Sequence, residues 1–232
     1  MNFFFVRHTS VDVPPGVCYG QTDVPLKSTF LKEAEVVKSK LEEIEAAECG
    51  FDSVYCSPLQ RCRILADYCG YDSGVSPLYK NSVVGANYSQ LQESCVALDG
   101  SLQLQNRGVG ERDSPHLRCG RECIIERRVM EINFGEWEMH SFDSIKDPRL
   151  QEWYNDYLHV SATGGESFQQ QYNRVSSFIN ETVNCSVPRR NNILLFTHGG
   201  VIACAQLYAG LIKPEQVFSL LSPYGSIIKI TF

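Results

Sequence analysis

NILLFTHGGVIACAQLYAGL, residues 192 to 211, sets an unbroken apolar block directly against Thr-His-Gly-Gly and then opens a second apolar stretch. A short run with no polar face reads as a strand buried on both sides, the kind a parallel sheet contains. The stretch from Gly199 onward continues as a helix, so a buried strand hands the chain to a helix through a turn that carries a histidine.

The same grammar repeats outward from this point. Phe3 to Val6 forms an apolar block that runs into Arg7 and His8 with no turn residue between them. Residues 31 to 47 place Leu31, Ala34, Val37, Leu41, Ile44 and Ala47 at steps of three and four, which predicts an amphipathic helix. FDSVYC at 51 to 56 reads as a strand feeding the helix of SPLQRCRILADYC, with Ser57 expected as N-cap, Pro58 as first helical residue and Gln60 as capping-box partner. Residues 166 to 183 carry Phe168, Tyr172, Val175, Ile179 and Val183 on one helical face, and Ser226 to Phe232 closes as a final strand. Strands that alternate with helices predict an α/β fold: a three-layer αβα sandwich around a mostly parallel central sheet.

The bulk properties narrow the function classes. At 232 residues with 43% hydrophobic content, the chain is expected to form one domain spanning 1 to 232. Its apolar runs fall far short of the ~20 residues a membrane helix needs, and the amino-terminal run is too short for a secretory leader, so a cytoplasmic protein with no membrane partner is expected. The ten cysteines are scattered singly, which predicts reduced thiols. The nearest pairs, Cys119/Cys123 and Cys56/Cys62, lack metal-ligand spacing, so neither a metal nor another cofactor is expected. A formal charge of −6 disfavours nucleic acid and leaves room for a local basic pocket. Residues 75 to 122 show no sustained period and several glycines, and read as an insertion, either a lid or a passive excursion.

Ligands bind at the carboxyl ends of strands in open α/β sheets. Two strands deliver a histidine there, His8 and His198, while Arg7 ends the first strand and Arg61 falls in the first turn of the helix after Ser57. Two guanidinium forks and two imidazoles suit a phosphoryl group, with imidazole as nucleophile or donor. The residues alone leave open which histidine attacks. A leaving oxygen needs a proton donor, and MEINFGEWE at 130 to 138 offers three carboxylates. Glu131, flanked by Met130, Ile132 and Phe134, is expected to be buried and therefore to favour the neutral acid, whereas Glu136 and Glu138 are expected to be exposed.

VRH at 6 to 8, SPLQR at 57 to 61, MEINFGEWE, GGES at 164 to 167 and FTHGG at 196 to 200 together resemble the histidine phosphatase superfamily, with its phosphoglycerate-mutase-like fold. Within it, GVCYGQTDVPL at 16 to 26 and YGS at 224 to 226 most resemble the alpha-ribazole phosphatases, which dephosphorylate a nucleotide-loop intermediate of cobalamin assembly. The resemblance implies a small phosphomonoester substrate, metal-independent chemistry, His8 as the phosphorylated nucleophile, Arg7, Arg61 and His198 around the phosphate, and Glu131 as acid and then base. Gly199 falls in the same FTHGG motif as a substrate-binding candidate. Two positions depart from the pattern: Thr9 stands where many relatives have Gly, and Met139 where Gly commonly follows the WE pair. The first loop lacks an evident Asn, which leaves Thr9, Ser10, Gln21 and Thr22 as candidate phosphate contacts. A phosphatase for another small sugar or nucleoside phosphate is the alternative, with a phosphoglycerate mutase and a catalytically silent phosphate-binding module behind it.

Overall fold

The computed structural model describes residues 1–74, 121–185 and 191–232, so the expected insertion lies outside the described residues except for its last two positions. A five-stranded sheet runs in the order β5-β2-β6-β1-β7. β1 is Asn2–Arg7, β2 Ser53–Cys56, β5 Ile124–Ile125, β6 Asn192–Thr197 and β7 Ile227–Thr231. Every neighbouring pair is parallel except β1 and β7. Two short strands, β3 at Tyr71–Asp72 and β4 at Arg121–Glu122, pair separately.

Alternation along β1 explains the layers. Phe3 and Phe5 join one buried cluster with Phe178, Ile179 and Val201, whereas Phe4 and Val6 join another with Phe30, Val37, Leu41 and Ile64. Successive side chains of a strand point to opposite faces, so one strand anchors both helical layers, each large side chain contributing about 1.5–3 kcal/mol of burial. Helices α1 (Phe30–Ala47) and α2 (Gln60–Tyr68) cover the second face. Helices α4 (Phe168–Val183) and α5 (Gly199–Tyr208) cover the first, and the short α3 (Arg149–Asn155) adds Leu150 and Trp153 to the same cluster. The αβα sandwich is therefore present, with all six residues of β6 buried.

Local details differ from the sequence reading. The strand expected from residue 51 begins at Ser53. Helix α2 begins at Gln60, with Leu59 at its N-cap position and no side-chain cap, so Pro58 is not helical and no capping box forms. The carboxylate of Asp23 accepts the Gln60 backbone N–H at 2.8 Å, supplying from another loop the acceptor expected of Ser57. A capping box does form at α4, where Ser167 and Gln170 exchange side-chain and backbone hydrogen bonds. Met139 adopts φ 65°, a left-handed conformation that Gly enters freely and that costs other residues about 1–2 kcal/mol. Its N–H donates to the Cys18 carbonyl at 2.7 Å, which ties the strained residue into the fold.

Candidate active site

Strand register assembles the site. Arg7 lies opposite Thr197 in the β1–β6 pair, and the next N–H, that of His8, donates to the Thr197 carbonyl at 3.1 Å. The two histidines one step beyond therefore meet, with ring centroids 5.3 Å apart. In β2, Cys56 lies opposite Phe196, and the Ser57 N–H donates to the Phe196 carbonyl at 3.0 Å. That places the Ser57 hydroxyl 2.7 Å from His198 Nε2, and Ser57 acts as the partner of a buried histidine instead of as a helix cap.

His8 is 2% exposed, and its Nδ1 lies 2.7 Å from the carbonyl of Thr9. A carbonyl only accepts, so Nδ1 carries the proton and Nε2 keeps a free lone pair. Burial first, then the charges of Arg61 and Arg7, hold the His8 pKa well below the usual histidine range, against the opposing pull of the Thr9 carbonyl. His198, fully buried, is pushed down by desolvation and then by Arg61 and His8. Both rings are neutral at neutral pH.

The arginines are fixed by backbone carbonyls. Arg61 is 1% exposed and donates through its two terminal nitrogens to Thr22 O at 3.0 Å and Gly20 O at 2.5 Å. Arg7 donates to the Ser222 carbonyl, and its guanidinium carbon lies 4.0 Å from the centre of the Tyr224 ring. A Cβ on Gly199 would stand 3.1 Å from that carbon, so Gly199 leaves space for the arginine. Arg7 Nε, Arg61 Nε and Thr9 Oγ1 are buried with no hydrogen-bond partner among the described residues. These three unpartnered polar groups, two of them cationic donors, are of the kind that an oxyanion would satisfy beside a neutral histidine.

Glu131 is partly exposed and lines the cavity, so full burial among its apolar neighbours does not hold. Its Oε1 accepts from Ile132 N at 2.9 Å and Gln171 Nε2 at 3.0 Å, while Oε2 accepts from Gly200 N at 3.2 Å. A Cβ on Gly200 would fall 2.3 Å from Oε1, which explains the second glycine after His198. Arg174 holds this segment from behind: it pairs with Glu166 at 2.6 Å and donates to the carbonyls of Arg128, Met130 and Glu131.

Glu138 is half-buried, contrary to expectation. Oε1 accepts from Gln21 N at 2.8 Å and Phe134 N at 3.1 Å, and Oε2 accepts from Thr22 N at 2.6 Å and from the Thr22 hydroxyl. The Gln21 side chain donates to Glu131 O at 3.0 Å. Gln21 and Thr22 thus brace the loop that holds Arg61. Sequence reasoning gives no role to Glu138, Gln171 or Arg174; the available signal is Gln171, which with Thr182 is one of two polar residues on the mostly apolar buried face of α4.

A cavity of about 500 Å³ opens from this centre. Arg7, His8, Glu131, Tyr19 and Tyr224 line one end, and Phe134, Phe142, Trp153, Phe218 and Leu221 contribute apolar wall. The Tyr19 and Tyr224 hydroxyls lie 2.5 Å apart, and burial together with that contact raises the Tyr19 pKa. Arg61 and His198 are not part of the cavity lining and stand within the protein interior.

The histidine phosphatase superfamily (branch 1) family model matches residues 3–90 and 116–232. The chain belongs to the histidine phosphatase superfamily. It is a phosphatase. A curated relative, the adenosylcobalamin/alpha-ribazole phosphatase of Escherichia coli K12, is 36% identical over 208 residues, covering 88% of this chain and 76% of the relative. The alpha-ribazole phosphatase of Shigella flexneri shares the fold with TM-score 0.68 and 21% identity, across 100% of this chain and 90% of that one. A mycobacterial glucosyl-3-phosphoglycerate phosphatase in complex with VO3 shares it with TM-score 0.64 and 17% identity, across 99% and 92%. Among the described residues of this superfamily member, no helix is long and apolar enough to cross a membrane, and no group of three or more His, Cys, Asp or Glu side chains could hold a metal ion.

Proposed function

We propose that the protein hydrolyses alpha-ribazole 5'-phosphate through a phosphohistidine on His8, in the cytoplasm and without a metal ion. The observation that carries the nucleophile is the bond from His8 Nδ1 to the Thr9 carbonyl, which leaves Nε2 as the ring nitrogen with a lone pair. Nε2 attacks phosphorus, the bond from phosphorus to the ester oxygen breaks, and that oxygen takes a proton from the Glu131 carboxyl. The resulting carboxylate then accepts a proton from water, whose oxygen displaces His8 and releases inorganic phosphate. Arg7, which lines the cavity, and Arg61, buried outside its lining, supply the positive charge that would stabilise the equatorial oxygens, which supports chemistry without a divalent ion. His198, outside the cavity lining, backs the His8 ring, with its own ring fixed by Ser57. The substrate reading rests on the relative named for alpha-ribazole and on a cavity large enough for more than a phosphate.

The test is a panel of alpha-ribazole 5'-phosphate, 3-phosphoglycerate and simple nucleoside monophosphates, combined with acid-quench and alkaline-quench trapping of labelled enzyme. The highest kcat/KM is expected for the ribazole ester, unaffected by EDTA, with an acid-labile, base-stable label on His8 that His8→Ala abolishes. Label on His198, or activity lost in EDTA and restored by a divalent ion, overturns the corresponding assignment.

A further inference from the structure

We infer that the apolar arm of the cavity is a subsite for a flat, uncharged aromatic group on the leaving alcohol, and that it selects esters carrying such a group over bare sugar phosphates. This rests on the reading of the Arg7–His8 end as the phosphate site, and deepens it by assigning the rest of the cavity.

Among the described residues, the charged members of the cavity lining, Arg7 and Glu131, stand with the neutral His8 at the proposed phosphate centre. The arm is walled by Phe134, Phe142, Trp153, Tyr154, Phe218 and Leu221, which come from several distant segments of the chain. Trp153 is the hub. Phe142 lies nearly parallel to it, with centroids 6.2 Å apart and an interplanar angle of 20°, while Phe218 and Phe134 stand at 5.7 Å and 6.1 Å at steep angles. Such rings also form ordinary core, and Trp153 belongs to the main cluster. What separates this wall from core is exposure: Tyr154 is 53% and Leu221 39% exposed, yet both line the same cavity as His8.

This distribution of chemistry discriminates between leaving groups. A second anionic group, such as the carboxylate of a phosphoglycerate, would enter a wall that offers it no cation among the described residues, and its desolvation would go uncompensated. A polyol would lose hydrogen bonds to water in the same way. An aromatic heterocycle stacks on ring faces and edges and loses little on leaving water. One end therefore binds the dianion and the arm binds the ring, with the ester bond held between them beside Glu131.

Exposed positions are the suitable ones to alter, because truncating Trp153 disturbs the core. Tyr154→Asp and Leu221→Asp each place a carboxylate on the apolar wall, and circular dichroism confirms their folding. kcat/KM is measured for alpha-ribazole 5'-phosphate, adenosine 5'-monophosphate and ribose 5-phosphate. The wild type is expected to prefer a base-bearing ester over ribose 5-phosphate by at least about tenfold, and each variant to reduce that ratio by about tenfold. The phosphate-free nucleoside alpha-ribazole should inhibit ribose 5-phosphate hydrolysis competitively, and the variants should weaken that inhibition. Equal kcat/KM for base-bearing and base-free esters, or equal losses on all three in the variants, overturns the subsite and leaves the phosphatase intact. Preference for adenosine 5'-monophosphate over the ribazole ester overturns the proposed substrate and upholds the subsite. Hydrolysis of none of them overturns both.

Discussion

The imidazoles of His8 and His198 meet edge to face at 5.3 Å, and each is locked by a different acceptor or hydroxyl, the Thr9 carbonyl for one and Ser57 Oγ for the other. Neither ring can turn without breaking a buried hydrogen bond. Two neutral histidines held this way beside two arginines link acid stability to the same residues that form the site.

The first prediction concerns that linkage. Both histidines are depressed in the folded chain and titrate near the ordinary 6.5 once unfolded. Above that pH both states are neutral and stability is on its plateau. Below it the unfolded chain takes up protons that the folded chain rejects, so stability falls, by up to about 1.4 kcal/mol per pH unit for each histidine, until the folded pKa is reached. Thermal melts from pH 7.5 down to about 5 should show this decline, and His198→Asn should flatten it. Identical slopes for wild type and variant would contradict the assignment.

The second concerns the proton donor. Glu131→Gln keeps a side chain of the same size against Gly200 and Gln171 and removes the transferable proton. The loss should be about 100-fold or more on alkyl phosphates and much smaller on an activated aryl phosphate, whose leaving group needs no protonation. Equal losses on both would assign Glu131 to positioning or to breakdown of the phosphoenzyme.

The third concerns Glu138, which carries the loop whose carbonyls grip Arg61. Glu138→Ala strands three backbone N–H groups and a hydroxyl. The value of kcat/KM should therefore fall about 10- to 100-fold on every ester, and inhibition by inorganic phosphate should weaken in parallel. Thr22→Val removes only the hydroxyl and should be milder. A loss of thermal stability with unchanged phosphate inhibition would confine Glu138 to a structural role.

The parts of the site legible in the sequence are those fixed by strand ends. Periodicity locates β1 and β6, and once they pair in parallel their terminal histidines must meet. Ser57 misleads because a capping pattern is visible over three residues, whereas its actual partner lies 141 residues away. Glu138 and Glu131 mislead for the same reason: their exposure depends on Gln21, Thr22, Gln171 and Gly200, none of them a sequence neighbour. The apolar wall is invisible in the sequence because Phe142, Trp153 and Phe218, apart along the chain, converge only in the folded protein.

On the proposed mechanism, the buried Arg7 Nε, Arg61 Nε and Thr9 Oγ1, which lack hydrogen-bond partners among the described residues, would also govern product release. Inorganic phosphate presents them with the same oxygens as the ester, and it lacks the bulky group that would have to clear the aromatic arm. A centre that grips the transferring group in this way would be slow to surrender its product. On the proposed assignment, turnover is expected to fall as ambient phosphate rises, so a cell short of phosphate would be the one in which the enzyme runs fastest.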